Sequence, residues 1–412
     1  MKEGYKKTPV GMIPEDWRVI KQGDVAIFYN GRAYSLSEWE DHGTPVIRLQ
    51  NLTGRGEEYY YSNLVLPEHQ YCHKGDLLYM WSASFGAYFW QGEKAIFHYH
   101  IWKIDSNDNA LDKKFHYYLL DDITQRMKNQ SHGSTMMHVT KGNMEKLLIQ
   151  LPPLPEQSKI ASILSTVDDK IDSINQRIEE TRKLKQGLMQ QLLTRGIGHT
   201  RFKDSPLGEI PESWECLPSF EVFDLLHGYQ FRDYDFTKEG IPIIKIGQIT
   251  SNGLIDLSDP SYIDSGRLHE FEDTIVHNGD VLMALTGATL GKSCIVKNLE
   301  VIALQNYRVG KFEPRNKRIL KPFLYLLINS PLILNQVFGK VNEAAQGNIG
   351  KADFERIHIP IPDLYEQQKI SDILSTIYNK LDALQELKIV YEILKKGLMQ
   401  QLLTGKIRVK TV

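Results

Sequence analysis

Three cysteines in 412 residues, Cys72, Cys216 and Cys294, are too few and too scattered for a disulfide framework or a paired-cysteine metal knuckle. An uninterrupted apolar run of the ~18 residues a membrane helix needs is also missing; the best, Phe323 to Leu334, contains Asn329, Ser330 and Pro331. The opening MKEGYKKTPVG lacks the apolar stretch of a secretory signal, so a cytoplasmic chain without membrane contact is expected. No sign of charge dominates. Lys and Arg number 49 against 51 Asp and Glu, for a net charge of −2. Splitting the chain changes nothing, since residues 1–150 carry 17 basic and 18 acidic side chains and residues 200–360 carry 17 and 21. A basic field that would announce a nucleic-acid partner is therefore absent, and any such reading must come from pattern. Compositional bias is missing too: 42% hydrophobic and 24% charged residues exclude wholesale disorder and collagen-like architecture. The length fits roughly two to three domains of ~150 residues.

What is present is a duplication. KQGLMQQLLT (185–194) recurs as KKGLMQQLLT (395–404), nine of ten identical at an offset of 210, and LPEQSKIASILST (154–166) matches LYEQQKISDILST (364–376) at the same offset. TPVGMIPEDW (8–17) matches SPLGEIPESW (205–214) at an offset of 197, so the second module holds about 13 extra residues. Weaker echoes join GTPVIRLQNLT (43–53) to GIPIIKIGQIT (240–250), and KGDLLYM (74–80) to NGDVLMA (278–284). A unit near 200 residues is too long for a solenoid repeat, so each module is a divergent globular part followed by a constant tail.

The tails read as helices. Apolar residues fall at 160, 164, 167, 171, 174 and 178, resuming at 184, 188 and 192; the second tail gives 370, 374, 377, 381, 384, 387, 391, 394, 398 and 402. This alternation of three and four, with charges between, is a coiled-coil pattern. Pro152, Pro153 and Pro155 fit before or at a first helical turn. A helix over 156–193 spans roughly 55 Å and needs a partner for its seam; the other tail is the obvious one. Met189, Gln190, Gln191 and Thr194 recur in identity as Met399, Gln400, Gln401 and Thr404. A seam requires only apolar type, so this identity points to a shared external surface, with Met189, Gln190, Gln191, Met399, Gln400 and Gln401 as candidate partner contacts.

In the globular parts, Pro45–Leu49, Asp76–Trp81, Ile241–Ile246 and Asp280–Leu285 read as strands, and Lys113–Lys128 and Lys321–Phe338 as helical stretches. Asn51 to Gly56 and Gln248 to Gly253 read as the polar loops that follow the Gly/Pro-led strands. They carry side chains that can read base edges: Arg and Lys donate to guanine, while Asn and Gln match adenine. The candidates are Arg48, Gln50 and Asn51 in the first module, and Lys245, Gln248 and Asn252 in the second. Ser82 and Ser84 align with Thr286, Thr289 and Lys292, and His98 and His100 with Asn306 and Arg308. Ser134, and Gln346 with Asn348, lie in Gly-containing loops before the tails.

With these residues the chain resembles, over essentially its whole length, the specificity subunit of type I restriction–modification enzymes. GMIPEDW and GEIPESW open the modules, LPPLPEQSKIASIL and IPIPDLYEQQKISDIL close the recognition parts, and GLMQQLLT ends each helix. The resemblance implies an α+β fold: two mixed α/β target recognition domains, residues 1–150 and 200–360, separated by two long antiparallel coiled-coil helices within 151–199 and 361–412. It implies that each domain reads half of a split, asymmetric site in double-stranded DNA. The helices then set the gap and dock two methyltransferase subunits that use S-adenosylmethionine to methylate adenine. A translocase–nuclease subunit using ATP and Mg joins for restriction. The chain itself then holds no catalytic site, cofactor or metal. The competing reading is a coiled-coil protein-interaction adaptor that never touches DNA.

Enzyme readings fit the residues poorly. TGATLGKS (286–293) lacks the glycine spacing of a phosphate-binding loop, and the first module has no Gly-Lys pair there. Pro152–Pro153 is flanked by leucines rather than the Asn/Asp and aromatic of a methyltransferase motif. Tyr71-Cys72-His73 and His98-Tyr99-His100 have no partner at metal-ligand spacing. Trp17 and Trp214, after Pro-Glu turns, read as packing anchors.

Overall fold

A Gly-turned hairpin opens each module: Tyr5–Thr8 pairs antiparallel with Gly11–Pro14, and Phe202–Ser205 with Gly208–Pro211. The computed structural model describes residues 3–56, 58–82, 84–130, 139–250, 254–338 and 349–410. It divides into two units, Met1–Ile174 with Leu387–Val412, and Asn175–Glu386. Each unit thus combines one globular part with half of each long helix.

In the first unit, Arg18–Lys21 pairs with Leu148–Leu151, bringing the start and end of the globular part together where the long helix begins. Glu215–Pro218 and His358–Ile361 do the same in the second. Between these ends lie two sheets. One is antiparallel, in the order Ala26–Asn30, Ile101–Ser106, Leu77–Met80, Gly86–Phe89; its counterpart is Phe223–His227, Val309–Pro314, Val281–Ala284, Ser293–Ile295. Leu77–Met80 and Val281–Ala284 are buried along their whole length, the pattern of strands covered on both faces. The other sheet contains a parallel pair, Thr44–Ile47 beside Ala95–Phe97 and Ile241–Ile244 beside Ala303–Gln305. The expected strands form, each ending one or two residues early, and the first begins one residue sooner, at Thr44.

The helix Lys113–Gln130 covers the antiparallel sheet of the first unit, with Phe115, Leu119, Leu120 and Ile123 joining Leu77, Tyr79 and Trp102 in one core. The stretch expected as one helix over Lys321–Phe338 is two, Lys321–Ile328 and Pro331–Phe338. Pro331 has no N–H and starts a helix more readily than it continues one.

The long helices run Leu154–Thr194 and Leu364–Leu402. In the first unit their halves are antiparallel: Ile160, Ala161 and Leu164 share a core with Met399, Leu402 and Leu403, and Asp168 meets Lys395 at 2.7 Å. In the second, Met189, Leu192 and Leu193 share a core with Ile370 and Leu374, while the Lys185 ammonium sits 3.8 Å from the Tyr378 ring centroid. Asp168 and Tyr378 occupy equivalent positions, as do Lys395 and Lys185. One pseudosymmetric contact is an ion pair in one copy and a cation–π pair in the other. No helix among the described residues is long and apolar enough to cross a membrane.

Candidate nucleic-acid interface

The two sheets of each unit meet at a tight crossing, built on a glycine without side-chain bulk. A Cβ at Gly31 would collide with the carbonyls of Phe97 and His98, and one at Gly228 with that of Gln305. Through this close approach Arg32 N donates to Phe97 O at 3.1 Å and Tyr99 N to Arg32 O at 3.0 Å. In the second unit Tyr229 N donates to Gln305 O at 3.1 Å and Tyr307 N to Tyr229 O at 2.9 Å. His98 N reaches Ile47 O at 2.9 Å, and Asn306 N reaches Ile244 O at 3.0 Å. One backbone frame is therefore repeated, and it places the turn 98–100 (or 306–308) beside the residue that follows the parallel strand, Arg48 (or Lys245). Loops set on such a rigid scaffold are where recognition concentrates.

Different side chains fill that frame. In the first unit Tyr34 stacks on Trp39 with ring centroids 4.7 Å apart, and Trp39 lies 4.6 Å from Tyr60. The Arg48 guanidinium lies 3.9 Å from the Tyr60 centroid and 6.0 Å from that of Trp39. Arg32 sits 4.4 Å over Tyr34 and is ion-paired to Glu38. Burial, with the neighbouring His100 and Arg48 adding to it, pulls the His98 imidazole down to about 4. It is neutral at pH 7 and offers one donor and one acceptor. In the second unit a cavity of about 580 Å³ is lined by Arg232, Tyr234, Lys245, Asn306, Tyr307 and Arg308 among others. Lys245 donates to Ser261 Oγ at 2.6 Å and lies 4.2 Å over Phe236; Arg308 Nε donates to the Tyr307 hydroxyl at 2.7 Å. The charge that the whole chain lacks is thus concentrated locally, with planar rings beside it.

Arg48, His98, His100, Lys245, Asn306 and Arg308 gather at these two frames. Asn51 and Gln248 do not serve there as free readers. Asn51 lies in a short helix, Leu49–Thr53, rather than a loop. It accepts from Arg48 N at 2.9 Å and donates to the Gly56 and Glu58 carbonyls. Gln248 likewise accepts from Lys245 N at 3.1 Å and donates to Asp259 O. Both amides shape the loop that presents the cation. Gln50 is half-buried in the same short helix; Ser82 is buried and Ser84 half-buried on the turn after Leu77–Met80. Thr286 precedes and Thr289 ends a single helical turn, and their buried hydroxyls find no hydrogen-bond partner among the described residues. Lys292 lines a different cleft, with Arg182, Lys185 and Tyr378. Ser134, Asn252, Gln346 and Asn348 lie outside the described residues.

The partner candidates divide. Gln190, Gln191 and Gln400 are exposed and Gln401 half-buried. Met189 and Met399, expected to face outward, are buried in the cores of their units, 4% and 7% exposed. Their retention in both copies reflects internal packing.

Sequence reasoning passed over the most connected polar pair, although it was repeated in both tails. Glu156 is buried and accepts from Trp17 Nε1 at 3.0 Å, from Arg408 Nε and Nη2 at 2.8 and 2.9 Å, and from Val409 N at 3.2 Å. Glu366 accepts from Trp214 Nε1 and Ile197 N, both at 2.8 Å, and contacts His199 Nε2 at 2.9 Å. The neighbouring glutamines are fully buried. Gln157 ties the Asp112 amide to the Ala110 and Pro152 carbonyls, and Gln367 ties Leu320 to Arg318 and Pro362. The signal was two polar residues kept in identity beside an apolar seam. Among the described residues, no group of three or more His, Cys, Asp or Glu side chains could hold a metal ion.

A family model for the type I restriction modification DNA specificity domain matches residues 14–182 and again 211–394. The chain is 30% identical over 416 residues to the type I restriction enzyme MjaVIII specificity subunit of Methanocaldococcus jannaschii, spanning 100% of this chain and 97% of that protein. It is 25% identical over 393 residues to the EcoBI specificity subunit of Escherichia coli, spanning 91% and 82% respectively. The fold is similar to that of the type I restriction–modification S subunit from M. genitalium, with a TM-score of 0.58 at 15% identity over 94% of this chain and 96% of that one.

Proposed function

From its membership of the type I restriction modification DNA specificity family, to which this chain belongs, we propose that each unit reads one half of a bipartite, asymmetric DNA site. The chain is a specificity subunit with two specificity domains. The observation that carries the reading is the repeated frame with exchanged chemistry: Arg48 against Lys245, His98 against Asn306, His100 against Arg308, on one backbone hydrogen-bond pattern. A scaffold held constant while its presented side chains differ is what reading two unlike sequences requires. Cations and polar rims hold phosphates, and the side chains at the crossing meet base edges.

The two long helices act as spacer and fix the unread gap. Gln190, Gln191, Gln400 and Gln401 meet two methyltransferase subunits, which supply S-adenosylmethionine and the chemistry on adenine; the ATP-driven translocase–nuclease joins them. This chain then contributes recognition and no bond-making step, within the cytoplasm.

The test exchanges residues 18–150 for the equivalent part of a relative and maps methylated adenines in the host genome. One half of the methylated motif is expected to change while the other stays. Change in both halves refutes independent reading. An adaptor that never touches DNA would leave affinity for duplex insensitive to salt, where phosphate contacts make it fall steeply.

A further inference from the structure

We infer that Arg48 reads a guanine in the half-site of the first unit, with its guanidinium held ready by the aromatic box. This rests on the reading just proposed and adds a base and a residue to it. Arg48 is half-buried, its guanidinium over the Tyr60 ring and beside Trp39. Its Nε is buried without a hydrogen-bond partner, and the guanidinium has no ion pair among the described residues. The nearby carboxylate of Glu38 is taken by Arg32. A stacked, unpaired guanidinium has already lost its rotamer freedom and presents a planar donor edge. The acceptor pair that fits this edge in the major groove is guanine O6 and N7. A phosphate contact needs neither stacking nor a recessed position. The equivalent Lys245 is tied to Ser261 and, as a compact ammonium, lacks the planar fork that fixes this geometry. The two units therefore differ in chemistry at one shared position, and the first demands guanine there.

The experiment uses the full chain assembled with its modification subunits and a duplex carrying the mapped methylation site. 7-Deazaguanine, which lacks the N7 acceptor, replaces in turn each guanine of the half-site that follows residues 18–150. At one position the wild-type complex is expected to bind about tenfold more weakly, the scale of one lost charge-assisted hydrogen bond. Arg48→Gln is expected to bind natural and deaza duplex within about twofold of each other, with the other half-site read as before. A half-site without guanine, or wild-type binding indifferent to 7-deazaguanine at every position, overturns the assignment while two-part reading stands. A complex with no preference for the mapped site over scrambled duplex sinks both. Where Arg48→Gln does not fold, Arg48→Met takes its place with the same expectation, and a folded variant that keeps the wild-type tenfold loss overturns the assignment.

Discussion

Replacing Glu156 with alanine tests whether one buried carboxylate closes the first unit. Four donors converge on it: the Trp17 indole, two Arg408 nitrogens and the Val409 amide. Arg408 keeps its pair of bonds to Asp16, at 2.9 and 2.7 Å, so the cation is not stranded by the change. The Trp17 N–H, on a fully buried side chain, and the Val409 amide are left without an acceptor. A buried donor stranded like that of Trp17 costs about 1–3 kcal/mol, and the half-buried Val409 amide less. With the lost charge-assisted bonds the sum is about 3–5 kcal/mol, the usual penalty for removing one member of a buried charged network. That is a large part of a typical ~5–15 kcal/mol stability. Hydrogen exchange read by mass spectrometry should show faster exchange in residues 3–24 and 399–410, with residues 175–386 unchanged. Glu156→Gln keeps one acceptor but turns an amide N–H toward donors, so about half the effect is expected. Equal loss of protection in both units, or none in either, would refute the reasoning.

Gly228→Ala forces a Cβ into the Gln305 carbonyl; a backbone clash of this kind should cost about 3 kcal/mol or more, and methylation mapping should show the second half-site lost while the first is retained. His116 is fully buried and held down to about 3 by that burial. Its unfolded form takes a proton below about 6.5 that the folded form refuses. Stability should therefore fall as pH drops from about 6.5 toward 3, by up to ~1.4 kcal/mol per pH unit from this group; urea titrations of His116→Asn should show a shallower decline, and identical slopes would contradict it. Gln190→Lys with Gln400→Lys alters exposed positions, so stability should stay within about 0.5 kcal/mol while co-purification with the methyltransferase subunit is lost; undiminished recovery would place docking elsewhere.

The duplication and the helices were legible because both rest on periodic or repeated letters. Ile160, Leu164 and Leu374 sit buried where the three-and-four spacing puts them. The candidate interface was legible only at residues whose chemistry is exclusive. Arg48 and Lys245 carry cations wherever they lie, whereas an Asn looks the same whether it reads a base or, like Asn51, clamps its own loop. The aromatic box escaped notice because Tyr60 lies 21 residues beyond Trp39 and joins Tyr34 and Trp39 only through the folded pairing of their segments. Met189 misled for the opposite reason: identity in both tails is demanded by a jigsaw core as strictly as by an outside partner.

The first unit borrows its last segment from the far end of the chain, and this orders events during synthesis. Everything in Asn175–Glu386 is synthesised before Leu387. The whole second unit is thus made before Met399, Leu402, Leu403 and Arg408, which complete the first. The first unit waits for some two hundred further residues, roughly 10–40 s at ~5–20 residues per second. Through that interval Ile160, Ala161 and Leu164 lack the cover that Met399, Leu402 and Leu403 give them. A message truncated after the codon for Glu386 would consequently yield a polypeptide damaged at its beginning and sound in its middle.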